Sequence, residues 1–432
     1  MANHPANVLA ARPESATNRT VSPVERTVLR ALAARVADLA DHPVEQEKRA
    51  LWYAHNALLP TRPLIFCSPE GGWNEIITPD QLVCEGELAR DWEMRLRKEV
   101  FWAAELRDDR VCQPVFDLAH VFTETDWGLH ETVIGGQDGG SYAWDAPVKD
   151  YEADLPRLHF PRITVDPAAT DQVLALAQET LGDFLQVRLR TRWWWTQGMT
   201  WTLALLRGLE QMMLDMYDHP DGLHRIMSYL RDGHLARLDF LEQNDLLSLN
   251  NDGTYVGSGG FGWTHELPQP GFAGRVRTQD MWGFGESQET LGVSPAMFAE
   301  FIFPYQLPVL SRFGLNCYGC CEPLDKRWSL VERIPRLRRV SISPWSNVEL
   351  MAERLGNRYI LSRKPRPADL ALPTFDEELV RDDLRATMRI ARRHECRLEV
   401  ILNGTQTLRG DPSRVVRWVQ IAREEAARVY GQ

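Results

Sequence analysis

Short apolar runs alternate with longer amphipathic ones along most of this chain. Pro63–Ser68, Cys112–Leu118, Leu185–Thr196, Thr278–Gly285, the segment opening at Gly314, Arg339–Ser343, Arg358–Ser362 and Arg397–Leu402 read as strands. Between them a 3.6-residue period predicts helices at Pro79–Leu106, 167–184, 200–217, 220–244, Ser294–Phe313, 324–334, 346–355, Asp376–Arg393 and Pro412–Tyr430. Eight strands, each followed by at least one helix, are the pattern of a closed parallel (β/α)8 barrel, an α/β TIM barrel whose active site lies at the carboxyl ends of the strands. An open doubly wound sheet needs a switch-point fingerprint, which this chain lacks.

The ends and insertions complete the organisation. Residues 1–22 lack periodicity and are expected to form a loose tail. Ser22-Pro23-Val24-Glu25 is a helix start, with an N-cap, proline in the first turn and an early acid, so 23–60 reads as a helical extension before a barrel over 61–432. Phe122–Phe160, with Gly-Gly-Gln-Asp-Gly-Gly at 135–140, is long for a loop and reads as a lid or substrate wall. A second excursion, 250–277, carries Gly257-Ser258-Gly259-Gly260-Phe261-Gly262, but no lysine follows in a strand-loop-helix setting, so it is not read as a phosphate cradle.

Composition narrows the classes. A chain of 432 residues with 44% hydrophobic and 25% charged content can bury a full core. A net charge of −11 without a basic run argues against nucleic acid as a partner. No run is apolar enough to span a membrane, the first residues do not resemble a signal peptide, and seven unevenly spread cysteines point to reduced thiols in a cytoplasm.

Three of those cysteines lie in Gly314-Leu-Asn-Cys317-Tyr318-Gly319-Cys320-Cys321-Glu322-Pro323. Thiolates beside a carboxylate suit zinc, and Cys320, Cys321 and Glu322 are the candidate ligands. The other reading makes these sulfurs core filler at a strand end. Asp117 ends the second strand and Glu286 follows the fourth, and both are candidate general acids; Gln288 and Glu289 beside Glu286, with Glu70 and Asn403 at other strand ends, are candidate substrate contacts. Fifteen tryptophans is a high count, so some are expected to wall a ligand: Trp195 above all, with Trp193 on the same strand face and Trp194 opposed, and Trp201, Trp282 and Trp345 near other strand ends. His265 is a further candidate ligand or proton carrier.

Ser294-Pro-Ala-Met-Phe-Ala-Glu-Phe-Ile-Phe-Pro-Tyr305 resembles the helix before the fifth strand in the uroporphyrinogen decarboxylase superfamily, and Thr196-Gln-Gly-Met-Thr-Trp-Thr202 is similar to its segment after the third strand. The resemblance covers roughly 60–430. The decarboxylases themselves carry an arginine-rich signature after the first strand, whereas this chain has Ser68-Pro69-Glu70-Gly71-Gly72-Trp73, an acidic mouth that would repel a porphyrinogen's carboxylates. The resemblance therefore implies the other branch: methyltransferases, often dimeric, that use zinc to move a methyl group between a small ether, amine or thiol and a corrinoid (cobalamin) on a partner protein. In that branch a His-x-Cys pair and a later cysteine hold the metal. Here Cys320 falls on the family's cysteine, Tyr318 replaces its histidine, and Leu402-Asn403-Gly404-Thr405 offers no cysteine, so Cys321 or Glu322 is expected to substitute. A metal-free decarboxylase or lyase acting on a small carboxylate is the alternative.

Overall fold

The computed structural model describes residues 19–135 and 142–431. Among the described residues the strands are β1 Leu64–Cys67, β2 Val115–Leu118, β3 Phe122–Glu124, β4 Thr132–Gly135, β5 Tyr142–Asp145, β6 Ile163–Val165, β7 Gln186–Leu189, β8 Trp282–Gly285, β9 Leu315–Tyr318, β10 Leu337–Ile342, β11 Ile360–Arg363 and β12 Arg397–Leu402. Six form one parallel sheet in the order β1-β12-β11-β10-β9-β8, and β2 and β7 form a separate parallel pair. The expected ring of eight is thus two pieces, with no closed sheet among the described residues. Side chains and single backbone contacts fill both gaps. Asp109 and Asp108 accept the β1 amides of Ile65 and Cys67 at 2.7 and 2.9 Å, standing where a β2 backbone would bond. Across the other gap, the Gln197 amide donates to Phe284 O of β8 at 2.8 Å.

Strand alternation assigns the two faces of the six-stranded sheet. Ile65, Tyr318, Val340, Ile342, Leu361, Val400 and Leu402 face the helices that follow the strands and share their apolar cluster. The opposite face carries Leu64, Phe66, Trp282, Phe284, Cys317 and Ile401. It also carries buried charge: Glu399 accepts from Ser362 Oγ at 2.5 Å, pairs with Arg339 Nε at 2.8 Å and meets His55 Nε2 at 3.2 Å.

The second excursion covers this inner face. Its hairpin, closed by a Tyr255–Phe261 bridge, brings Val256 and Phe261 into the inner apolar clusters. Ser258 Oγ donates to Gly319 O or Ser341 Oγ, each at 3.1 Å, and Asn403 Nδ2 donates to Ser258 O at 2.7 Å. Gly259 has φ +148°, and a Cβ there would lie 2.5 Å from Ile401 Cγ2, so the approach needs glycine. The base of the hairpin is latched to β7: Asp252 takes both oxygens to Arg190 Nη1 at 2.7 and 2.8 Å and meets Arg188 Nη1 at 3.2 Å.

The N-terminal helices Pro23–Ala40 and Pro43–Asn56 follow the expected start, with Ser22 and Glu25 forming a reciprocal capping box. The first shares a cluster with helices Glu87–Phe101 and Pro167–Leu181 and with β2. The predicted helix Ser294–Phe313 breaks at Ile302 into Pro295–Phe301 and Phe303–Leu310, because Pro304 cannot donate an internal helix bond. In the first excursion β3 pairs with β6 and β4 with β5, both antiparallel, and residues 136–140 of its glycine run lie outside the described residues, as do 1–18 of the expected tail. None of its described residues lines the cavity described below, so the substrate-wall reading does not hold for them. Among the described residues no helix is long and apolar enough to cross a membrane.

Candidate functional site

A cavity of about 830 Å³ opens between the β2–β7 pair, the hairpin base and the turn after β9. That turn is set by Gly319, at φ +92°, where a Cβ would meet Leu324 Cδ1 at 2.8 Å. It delivers Cys320 and Cys321 to the lining with their sulfurs 3.7 Å apart. Cys321 is exposed and Cys320 partly buried, while the other five cysteines are buried. A shared hydrogen bond splits the pair: it pushes the Cys320 thiol up, aided by burial, and draws the Cys321 thiol below its ordinary value against the effect of burial.

Glu322 does not join them at the lining. Its Oε1 accepts the Ser287 amide at 2.8 Å and its Oε2 the Cys320 amide at 2.9 Å, which ties the turn to the loop after β8. It lines a second concavity instead, together with the exposed Trp345. Among the described residues no three or more His, Cys, Asp or Glu side chains are grouped so as to hold a metal ion. The expected three-ligand set is therefore a sulfur pair plus a carboxylate already engaged by backbone amides. Tyr318, where the resemblance expects a histidine, faces the helices and donates to Gln306 Oε1 at 2.7 Å, and the Gly319 turn after β9 ends the alternation before Cys320.

The acid candidates separate. Asp117 lines the cavity, but its oxygens are held by Arg188 at 2.6 and 2.9 Å, a bidentate pair that makes it a wall element. Glu286 lies behind the lining, fully buried. Burial, then Glu289 and Glu322, push its carboxyl well above the ordinary range, and its Oε1 has no hydrogen-bond partner. Glu289 is also behind the lining, bonded to Thr200 Oγ1 at 2.6 Å, and burial raises it too. Glu322 completes the cluster, likewise raised by burial. Glu70 lines the cavity, and burial raises its carboxyl.

Trp195, Gln288 and Asn403 are brought to the lining as expected. Trp193 and Trp194 reach it too, because β7 ends at Leu189 and strict alternation stops there. Trp282 also lines it, whereas Trp201 packs on Trp144 with ring centroids 5.8 Å apart. His265 lies elsewhere, stacked on Tyr53 at 4.0 Å. Two features were not singled out from the sequence. One is Tyr255, a hairpin residue on the lining whose proton burial and Glu70 hold in place. The other is the arginines Arg188, Arg190 and Arg192, which reach the lining from β7 and the segment just beyond it and are spaced by two in the sequence.

No family model matches the chain, and no curated protein matches it. Among solved structures, a methyltransferase from Methanosarcina mazei is similar over 87% of this chain and 97% of that one, at 13% identity and a TM-score of 0.47. A likeness of that degree carries nothing about chemistry, which has to come from the cavity itself.

Proposed function

We propose that the protein is a cytoplasmic methyltransferase, built as an eight-stranded parallel barrel, that moves a methyl group between a small ether, amine or thiol and a corrinoid carried by a partner protein. The observation that supports this reading most is the Cys320–Cys321 pair at the rim of an aromatic-walled cavity, at the position where the resembling family keeps a zinc-binding cysteine. Two thiolates each about 2.3 Å from one tetrahedral zinc lie about 3.8 Å apart. The 3.7 Å between these sulfurs matches that span. Cys320 and Cys321 would hold the metal, and Glu322 would join only by giving up a backbone amide. Zinc at this place supplies Lewis acidity to the atom losing the methyl group, or holds an accepting thiol as thiolate. The chain's own part is to present the sulfurs on a turn fixed by Gly319 and to wall the cavity with Trp195 and Tyr255. Elemental analysis of the purified protein tests it, with zinc expected near one per chain and lost on Cys320→Ser together with methyl transfer. Zinc-free protein and an unchanged Cys320→Ser variant would remove the proposal.

A metal-free decarboxylase or lyase is the second reading. The buried Glu286, whose carboxyl burial pushes well above its ordinary range, favours it, since quenching a carbanion needs a proton donor. It predicts carbon dioxide release from an acid substrate and no effect of Cys320→Ser.

A further inference from the structure

The turn after β9 presents two sulfurs that are neighbours in sequence as well as in space. Cys320 and Cys321 both line the cavity with their Sγ atoms 3.7 Å apart, and Cys321 is exposed. The backbone beneath them is pinned at both polar atoms of Cys320: its amide donates to Glu322 Oε2 at 2.9 Å and its carbonyl accepts from Ser341 Oγ at 3.2 Å. A disulfide is a poor outcome for such a pair. Consecutive Cα atoms stand about 3.8 Å apart, whereas disulfide-bonded ones usually stand at least about 4.4 Å apart, so closing the sulfurs to a bond of about 2.05 Å costs strain. One soft atom bonded to both sulfurs asks for less movement, because it leaves them well beyond bonding distance of each other.

The number of donors then selects the atom. Among the described residues no third His, Cys, Asp or Glu joins the two sulfurs to make a metal shell, and Glu322 is engaged by backbone amides. A tetrahedral metal on this pair must fill two positions from outside. Trivalent arsenic that carries one organic group makes three bonds, one to carbon and two more, so two thiolates complete it. We infer that Cys320 and Cys321 form a capture site for trivalent organoarsenicals, with the organic group in the cavity that Trp195 and Tyr255 wall. Cys320 and Trp195 pack against the same apolar cluster, and the cavity of about 830 Å³ has room for the group. In the capture step two As–S bonds replace the two As–O bonds of a hydrated arsenoxide. Each thiol proton leaves with a hydroxide as water, two waters per arsenic, and no atom changes oxidation state. The other five cysteines are buried, Cys317 so close under the hairpin that a Cβ on Gly257 would lie 3.1 Å from its sulfur, so one arsenic per chain is the expected load.

Phenylarsine oxide, added at one equivalent to the full chain in buffer containing a metal chelator, tests this by intact-mass spectrometry. One phenylarsenic adduct per chain is expected, resistant to excess 2-mercaptoethanol and removed by 2,3-dimercaptopropanol, and proteolytic mapping of the parent chain should place it on the segment that carries residues 320 and 321. Holding one atom by two linked donors gains about a hundred-fold or more over holding it by one, so Cys320→Ser and Cys321→Ser should each lower by that factor the monothiol concentration that strips half of the adduct. Circular dichroism checks that both variants are folded. Absence of the adduct, its location on another cysteine, or equal monothiol sensitivity in parent and variants overturns the inference. It depends on the geometry of the sulfurs and not on methyl transfer: zinc-free protein removes the reading proposed above and leaves capture expected, while retained zinc without capture does the reverse.

Discussion

Replacing Glu399 by glutamine removes a negative charge on which Ser362, Arg339 and His55 converge, at 2.5, 2.8 and 3.2 Å. Burial alone would raise this carboxyl; Arg339, His55 and Lys364 outweigh it and hold it at about 2 against an ordinary 4.5. At about 1.4 kcal/mol per pH unit, that difference corresponds to about 3 kcal/mol of folding stability at neutral pH. Breaking a buried pair from one side, which leaves Arg339 without its anion, gives a similar figure of about 3–5 kcal/mol. Unfolding entropy of about 2.1 cal/mol/K per residue gives about 0.9 kcal/mol/K for the 432-residue chain, so the melting temperature should fall by about 3 °C. A folded-state carboxyl held low contributes its stability above pH 4.5 and loses it as pH falls towards 2. Glutamine does not titrate, so the gap between parent and variant should be full at neutral pH and narrow through that window. Differential scanning fluorimetry across a pH series measures both. A variant melting within a degree of the parent, or a gap unchanged down to pH 3, would refute the account of the inner face.

Other expectations follow from the same contacts. In a timed reaction with a thiol reagent, Cys320 and Cys321 should be modified first, and Cys84, Cys112 and Cys396, whose thiols burial holds at about 12, only on unfolding; early modification of those buried sulfurs would contradict their packing. Gly259→Ala should cost about 1–3 kcal/mol by overpacking, seen in urea titration, since the added methyl meets Ile401 Cγ2 at 2.5 Å, and an unchanged midpoint would contradict that close approach. Asp252→Ala should lower stability by about 2 kcal/mol and open residues 250–262 to limited proteolysis, because it unpairs Arg190 and Arg188 from the hairpin base; an unchanged cleavage pattern would show that the latch is idle.

Local signals were the legible part of this chain. β12 runs over Arg397–Leu402 as periodicity predicts, and helix starts at Ser22 and Ser294 fall where cap and proline put them. The sulfur pair was readable because its chemistry sits in consecutive residues. The predicted strand Thr278–Gly285 shrinks to Trp282–Gly285, since Thr278–Asp280 form a 3-10 turn on Arg277 and Asp280, an ion pair three residues apart that periodicity does not register. What could not be read depended on residues far apart in sequence. Asp109 replaces a strand neighbour for Ile65, and nothing in either segment announces that exchange. The engagement of Glu322 by two amides, one of them Ser287, is invisible to a reading that counts only donor types. The cavity's charge is set by segments far apart in sequence, the Glu70 loop and the arginines at 188, 190 and 192, so neither segment alone announces it.

The glycine hairpin at 255–261 has a consequence for how this architecture changes. It fills the space above Cys317, Arg339 and Ile401, so the depth available to a guest is a property of one loop and not of the number of strands. Trimming that loop would deepen the chamber and at the same stroke bring Arg339 and Glu399 to its floor. A wider pocket in this scaffold would therefore also be a more highly charged one.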